Sequence, residues 1–155
     1  MFALMGFGTD YGSVSVTDDD RIEISNLNRQ FLFRRHHVGL SKCQTACMVG
    51  KGVNPEVNFN AYKLRVCAET EHIFNEGFWS DLDFVVNALD NVKARQYVDT
   101  QCVWFEKPLF ESGTLGTKCH TQIILPHATV SYSDLVDPPE QNIPLCTLKN
   151  SPYEI

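Results

Sequence analysis

The chain has 155 residues, the size of one ordinary domain, and its 43% hydrophobic and 21% charged content supports a globular core and excludes disorder throughout. Thirteen basic against nineteen acidic residues leave a net charge of −6 with neutral histidines, which argues against a broad nucleic-acid-binding face but leaves room for a local phosphate pocket. No apolar run approaches the roughly 20 residues of a membrane helix, and the opening Met1–Gly6 lacks the basic and long apolar regions of a signal peptide, so a soluble intracellular chain is expected.

Near the start, Gly6-Phe-Gly8 imitates the opening of a dinucleotide fingerprint. The third glycine would fall at 11, where Tyr11 stands, and the segment precedes a strand instead of following one. It is therefore rejected. Ser13–Thr17 alternates as a strand and runs into Asp18-Asp-Asp20. A helix is expected from Ser41, as N-cap, to about Val53, with Asn54-Pro55 as its stop. Val57–Ala61 alternates again as a strand, and Thr70–Phe74 reads as a helical turn with Glu71 near its positive end. Asp83–Leu89 is apolar enough for a strand buried on both faces. Val92–Trp104 follows as a helix capped by Asp90 or Asn91. Pro108–Phe110 and Cys119–Leu125 read as further strands, and Tyr132–Pro144 has the polar, proline-bearing composition of a crossing loop. Alternating strands and helices predict an α/β fold with a largely parallel sheet.

The six cysteines at 43, 47, 67, 102, 119 and 146 contain no Cys-x-x-Cys pair. Cys43 and Cys47 share a helix face at i, i+4, but one soft pair is a poor zinc site. Most of these thiols are expected to be small buried side chains.

Open α/β sheets bind ligands at the carboxyl ends of their strands. Asp18 and Asp90 both occupy such ends. One carboxylate there can accept from ribose hydroxyls, and another can hold a magnesium ion that bridges phosphates. Both could equally be helix caps or solvated loop ends. Between them, Arg29 offers a forked donor and Lys42 a point charge to phosphate oxygens, and the helix beginning near Ser41 aims its N-terminus at an anion.

Four segments then stand in one order: Ser25-Asn-Leu-Asn-Arg-Gln-Phe-Leu-Phe-Arg34, Asn87-Ala-Leu-Asp-Asn-Val92, Glu111-Ser-Gly-Thr-Leu-Gly-Thr-Lys118 and Pro144-Leu-Cys-Thr-Leu-Lys149. Together they resemble the active adenylation half of ubiquitin-activating enzymes, over essentially the whole chain. The resemblance implies a Rossmann-like adenylation fold shared with sulfur-carrier adenylating enzymes, incomplete at the N-terminus. It implies a partial adenylation domain over 1–136, followed by a crossover loop and the start of a catalytic cysteine domain over 137–155.

It also implies roles. Asp18 would bind the ATP ribose, and Arg29 and Lys42 the phosphates, with Asn26 and Gln30 close by. Asp90 would hold magnesium, Asn91 would lie in the nucleotide site, and Cys146 would receive ubiquitin as a thioester. ATP and magnesium are thus the implied cofactors. Ubiquitin or a ubiquitin-like protein and conjugating enzymes are the implied partners, in cytoplasm and nucleus, with neither nucleic acid nor membrane. Some positions depart from the family pattern: Ser151 stands where Phe is usual, Cys119 replaces a glycine, and no glycine-rich phosphate loop is present. The chain alone is therefore expected not to activate ubiquitin. An activator of another ubiquitin-like modifier and a non-catalytic fragment are the alternative readings.

Overall fold

The computed structural model describes residues 1–115 and 118–135. They fall into two compact units, Met1–Arg65 and the described residues from Val66 onward. That division is not visible in the composition, and the expected boundary at 136/137 lies outside the described residues.

In the first unit, α1 (Phe2–Met5) ends at Gly6 with φ 80°, a left-handed cap that suits glycine. The glycine pair at 6 and 8 thus serves the turn into β1 (Val14–Thr17), as its rejection as a fingerprint requires. β1 pairs in parallel with β2 (Phe59–Tyr62), Val14 opposite Phe59, and α2 (Lys42–Val53) forms the crossover between them. A parallel pair needs such a crossover, so the helix read from Ser41 to Asn54 follows from the topology as well as from its ends. Ser41 occupies the N-cap position, but its Oγ lies 3.2 Å from Cys43 Sγ and makes no capping bond. Gly50 lets α2 close on β2, since a Cβ there would lie 2.7 Å from the Phe59 ring. Ile22, Phe33, Cys43, Cys47 and Val57 are the buried apolar residues of this unit.

The second unit holds α3 (Glu76–Ser80), β3 (Val85–Val86), α4 (Val92–Trp104), β4 (Leu109–Leu115) and β5 (Lys118–Ile124). β3 pairs in parallel with β4, and β4 pairs antiparallel with β5. The sheets are parallel at both crossovers, and the antiparallel pairing comes from the short β4–β5 connection. Trp79, Val98, Cys102, Leu109, Ile124 and Tyr132 form the core, with Trp79 stacked on Phe105 and its indole N–H donating to the Phe74 carbonyl.

One expectation is corrected here. The strand read over Asp83–Leu89 is confined to Val85–Val86, and it is covered on one face only. Val85, Leu109 and Ile124 stand in register toward the core, while Val86, Phe110 and Ile123 stand in register on the other face, with Val86 43% and Ile123 52% exposed. The apolar run satisfies one buried face and leaves the other as an open stripe. The turn read over Thr70–Phe74 is present, the Thr70 carbonyl accepting from the Ile73 and Phe74 N–H groups; a 3₁₀ turn at Ala68–Thr70 leads into it, and Glu71 accepts from the Tyr97 hydroxyl at 2.9 Å. The helix α3 that follows carries no strong periodicity in its five residues, and its Asn75 cap, accepting from Phe78 N–H, is its main local signal. Among the described residues, no helix is long and apolar enough to cross a membrane.

Candidate functional site

Asp18 follows the last residue of β1, and its N–H still donates to the Tyr62 carbonyl of β2 at 3.1 Å. Its Oδ1 accepts from the Asp20 N–H at 2.8 Å, which turns the chain at the strand's carboxyl end. The returning segment closes on this turn. Ile22 N–H donates to Leu40 carbonyl, Gly39 N–H to Ile22 carbonyl and Lys42 N–H to Asp20 carbonyl. This closure sets the Lys42 ammonium 2.7 Å from Asp20 Oδ2, across twenty-two residues of sequence. Partial burial raises the Asp18 carboxyl above its ordinary 3.8, while the Asp20 N–H and the Lys42 charge pull it down less strongly.

The intervening segment is built from 3₁₀ turns. Asn26 is buried and spends its side-chain oxygen on the Glu23 N–H at 2.9 Å, so it shapes the turn from inside. Its backbone carbonyl accepts from both Arg29 and Gln30 N–H groups. The Arg29 guanidinium is exposed and donates to the Ser25 carbonyl at 2.9 Å and to Asn28 Oδ1 at 3.2 Å. Both partners are neutral acceptors on its own turn, which an incoming phosphate would outcompete. Gln30 Oε1 is a buried oxygen without a hydrogen-bond partner. The structure thus brings Asp18, Asp20 and Lys42 together, and it leaves Arg29 folded on its own turn.

Asp90 and Asn91 belong to the second unit. Asp90 lies past β3, immediately before α4, and it is exposed, with Asn91 Nδ2 donating to its Oδ1 at a long 3.4 Å. Of the two residues read as possible caps, Asn91 is the one, its Oδ1 accepting from Ala94 N–H at 2.9 Å. Asp90 is thereby left with carboxylate oxygens open to solvent, which is the donor type a hard divalent cation takes. The Asp18, Asp19 and Asp20 carboxylates also lie within 4.8 Å of one another. There, however, Asp19 faces Arg65 at 3.1 Å and Asp20 faces Lys42.

Sequence reasoning missed a buried ion pair. Arg95 and Glu111 are 4% and 0% exposed and lie 3.2 Å apart, with Asn87 donating to Glu111 Oε2 at 2.6 Å. Asn87 and Glu111 stand inside two of the quoted segments, whereas Arg95 lies outside them and carries no local signal of its burial. Cys43, Cys47 and Cys102 are buried as expected, Cys67 is half-buried and Cys119 is exposed. Burial, with Asp99 adding to it, pushes the Cys102 thiol up to about 12, so it is an inert filler. Cys146 lies outside the described residues. A shallow cleft lined by Cys47, Lys51, Asn58, Phe59 and Asn60 sits at the amino end of β2, the wrong end of a parallel strand for a ligand.

In the first unit, a carboxylate at the carboxyl end of a parallel strand with cations on the loop and helix that follow is the place where α/β domains bind ligands. The ThiF family model matches residues 1–151, and the chain belongs to that family, with the Rossmann-like adenylation fold expected of it. It is 56% identical over 155 residues to the ubiquitin-like modifier-activating enzyme 1 of Dictyostelium discoideum, covering 99% of this chain and 15% of that protein. The ubiquitin-activating enzyme E1 2 of Triticum aestivum is 51% identical over 154 residues, and the human ubiquitin-like modifier-activating enzyme 6 is 49% identical over 156. Each is likewise covered over 15% of its length and over 99% of this chain. The chain therefore spans about one-seventh of the relatives it matches.

Proposed function

We propose that the protein carrying this chain activates ubiquitin in two ATP-dependent steps. A modifier carboxylate oxygen attacks the α-phosphorus of ATP, forming an acyl-adenylate as the bond to pyrophosphate breaks. The Cys146 thiolate then attacks the acyl carbon, forming a thioester as AMP leaves and keeping the activated modifier on the sulfur for transfer to a conjugating enzyme. The observation that carries this reading is the match along 99% of the chain to proteins named for modifier activation.

Each residue takes the task that the resemblance implies. Asp18 presents acceptor oxygens for ribose hydroxyls at a strand end. Lys42 and Arg29 exchange Asp20 and the Ser25 carbonyl for phosphate oxygens, opposing the negative charge that builds there. Gln30 and Asn91 border the nucleotide, and Asn26 holds the turn that carries Arg29. Asp90 would hold magnesium, which supplies charge neutralisation at the phosphates. Cys146 must react as a thiolate, against a free-cysteine pKa of about 8.5, so an electropositive setting is required of it. The reading carries with it a cytoplasmic and nuclear location.

The test is a ubiquitin adduct formed by the complete protein with ATP and magnesium. The adduct should be cleaved by reductant and absent in Cys146→Ser, while ATP–pyrophosphate exchange persists in that variant. An adduct that survives the substitution overturns the assignment. The names of two relatives favour a second reading, in which another ubiquitin-like protein is the substrate. A thioester formed with such a protein but not with ubiquitin would establish it.

A further inference from the structure

Residues 87–91 form the approach to α4, yet the β3–β4 ladder ends with a last backbone bond at Asn87, so something else must hold the residues beyond it. Asn87 is tied at three points. Its N–H donates to the Phe110 carbonyl at 2.9 Å, its amide to Glu111 Oε2 at 2.6 Å, and its carbonyl accepts from Ser112 Oγ at 3.4 Å. Two residues on, the Leu89 carbonyl accepts from Arg95 Nη2 at 2.6 Å, while Leu89's side chain packs against the core. Arg95 Nη1 faces Glu111 Oε1 at 3.2 Å outside hydrogen-bonding geometry, so charge holds that pair.

β4 is shaped to accept this guanidinium. Leu109, Glu111 and Gly113 are buried on its one face, by the two-residue alternation of a strand. A Cβ at 113 would stand 2.6 Å from Arg95 Nη1 and 2.6 Å from His120 Cε1, so glycine makes the room. The result is a buried relay from β4 through Arg95 to the carbonyl of the residue immediately before Asp90.

A buried ion pair is an expensive way to hold a fold. Apolar side chains of similar volume often serve stability as well or better. What an apolar pair cannot do is donate to the Leu89 carbonyl. We propose that Arg95, Glu111 and Asn87 are positioning residues, fixing the backbone from which Asp90 presents its carboxylate to the cation at the nucleotide. This rests on the reading of Asp90 given above. Outer partners of metal ligands are typically worth about 10–100-fold in metal affinity or activity.

The test uses the complete protein with Arg95→Lys, and with Arg95→Met combined with Glu111→Leu, beside Asp90→Asn. The first readout is amide hydrogen exchange over residues 88–92 without nucleotide. The second is the magnesium dependence of ATP–pyrophosphate exchange. The double variant should melt near the parent's temperature yet exchange those amides about tenfold faster or more. It should also need about tenfold more magnesium for half-maximal rate, with most of the rate restored at saturation. Arg95→Lys, which keeps the charge but loses the fork, should shift both in the same direction by less, and it decides the matter if the double variant does not fold. Unchanged protection over 88–92 in the variant that folds overturns the proposal, as does faster exchange spread over the whole unit without a magnesium shift. If Asp90→Asn leaves the magnesium dependence untouched, it is the Asp90 reading that fails, and the hydrogen-exchange result still judges the relay.

Discussion

The segment from Asp18 to Lys42 and the segment from Asn87 to Gly113 solve the same problem in opposite ways. Each presents a carboxylate beyond the end of a parallel strand. In the first, the supporting contacts reach solvent: Lys42, its side chain 16% exposed, meets an Asp20 side chain that is 59% exposed, and Arg29 rests on carbonyl and amide oxygens of its own turn. In the second, the supporting groups are fully enclosed and tied to the sheet. The difference teaches how each side is used. On the proposed reading, the cations that change partners when phosphate arrives are held by exchangeable contacts, whereas the carboxylate that stays in place is held by buried ones.

The sharpest way to break this contrast is to remove one member of the buried pair. Arg95→Ala or Glu111→Ala leaves an uncompensated buried charge and should cost about 3–5 kcal/mol in urea denaturation. Lys42→Met, at the exposed pair, should cost no more than about 1 kcal/mol while raising the KM for ATP. Equal losses at the two places would erase the distinction.

Asp90→Ala tests the opposite dissociation within the second segment. The carboxylate is exposed, so the denaturation midpoint should hold, while ATP–pyrophosphate exchange in the complete protein falls by about 10²–10³. Exchange near the parent rate would make Asp90 a solvated neighbour of the Asn91 cap.

The smallest effect concerns Asp18 and its pH dependence. Burial raises its carboxyl, so between 3.8 and the raised value the folded chain binds more protons than the unfolded one. Stability therefore falls as pH rises through that window. Asp18→Asn keeps an oxygen for the Asp20 N–H and removes the titration. Its stability should match the parent's below the window and exceed it above, while ATP binding weakens. Urea midpoints from pH 3 to 7 check the sign, and a variant less stable than the parent at neutral pH would reverse it.

Much of this was legible locally. The limits of α2, between Ser41 and Asn54-Pro55, follow from a start position and a proline stop, and the Asn91 cap of α4 from its short polar side chain. The Asp18 carboxylate at the end of β1 follows from where apolar alternation gives way to acid, whereas Asp90, read as a strand end, lies four residues past β3. The four ordered segments identify the family by themselves, because each is long and the order is shared. What local pattern cannot contain is partnership at a distance. Lys42 finds Asp20 only because the loop between them closes through backbone bonds. Arg95 and Glu111 looked like two ordinary charges, and packing β4 against α4 is what took both from water and made them one device. The run Phe84–Val86 was apolar enough for two buried faces, but only the pairing of β3, β4 and β5 decided which face was covered. Periodicity, caps and breakers act within a few residues and can be read from the chain, whereas burial and ion pairing depend on which distant segments meet, and that belongs to the tertiary structure.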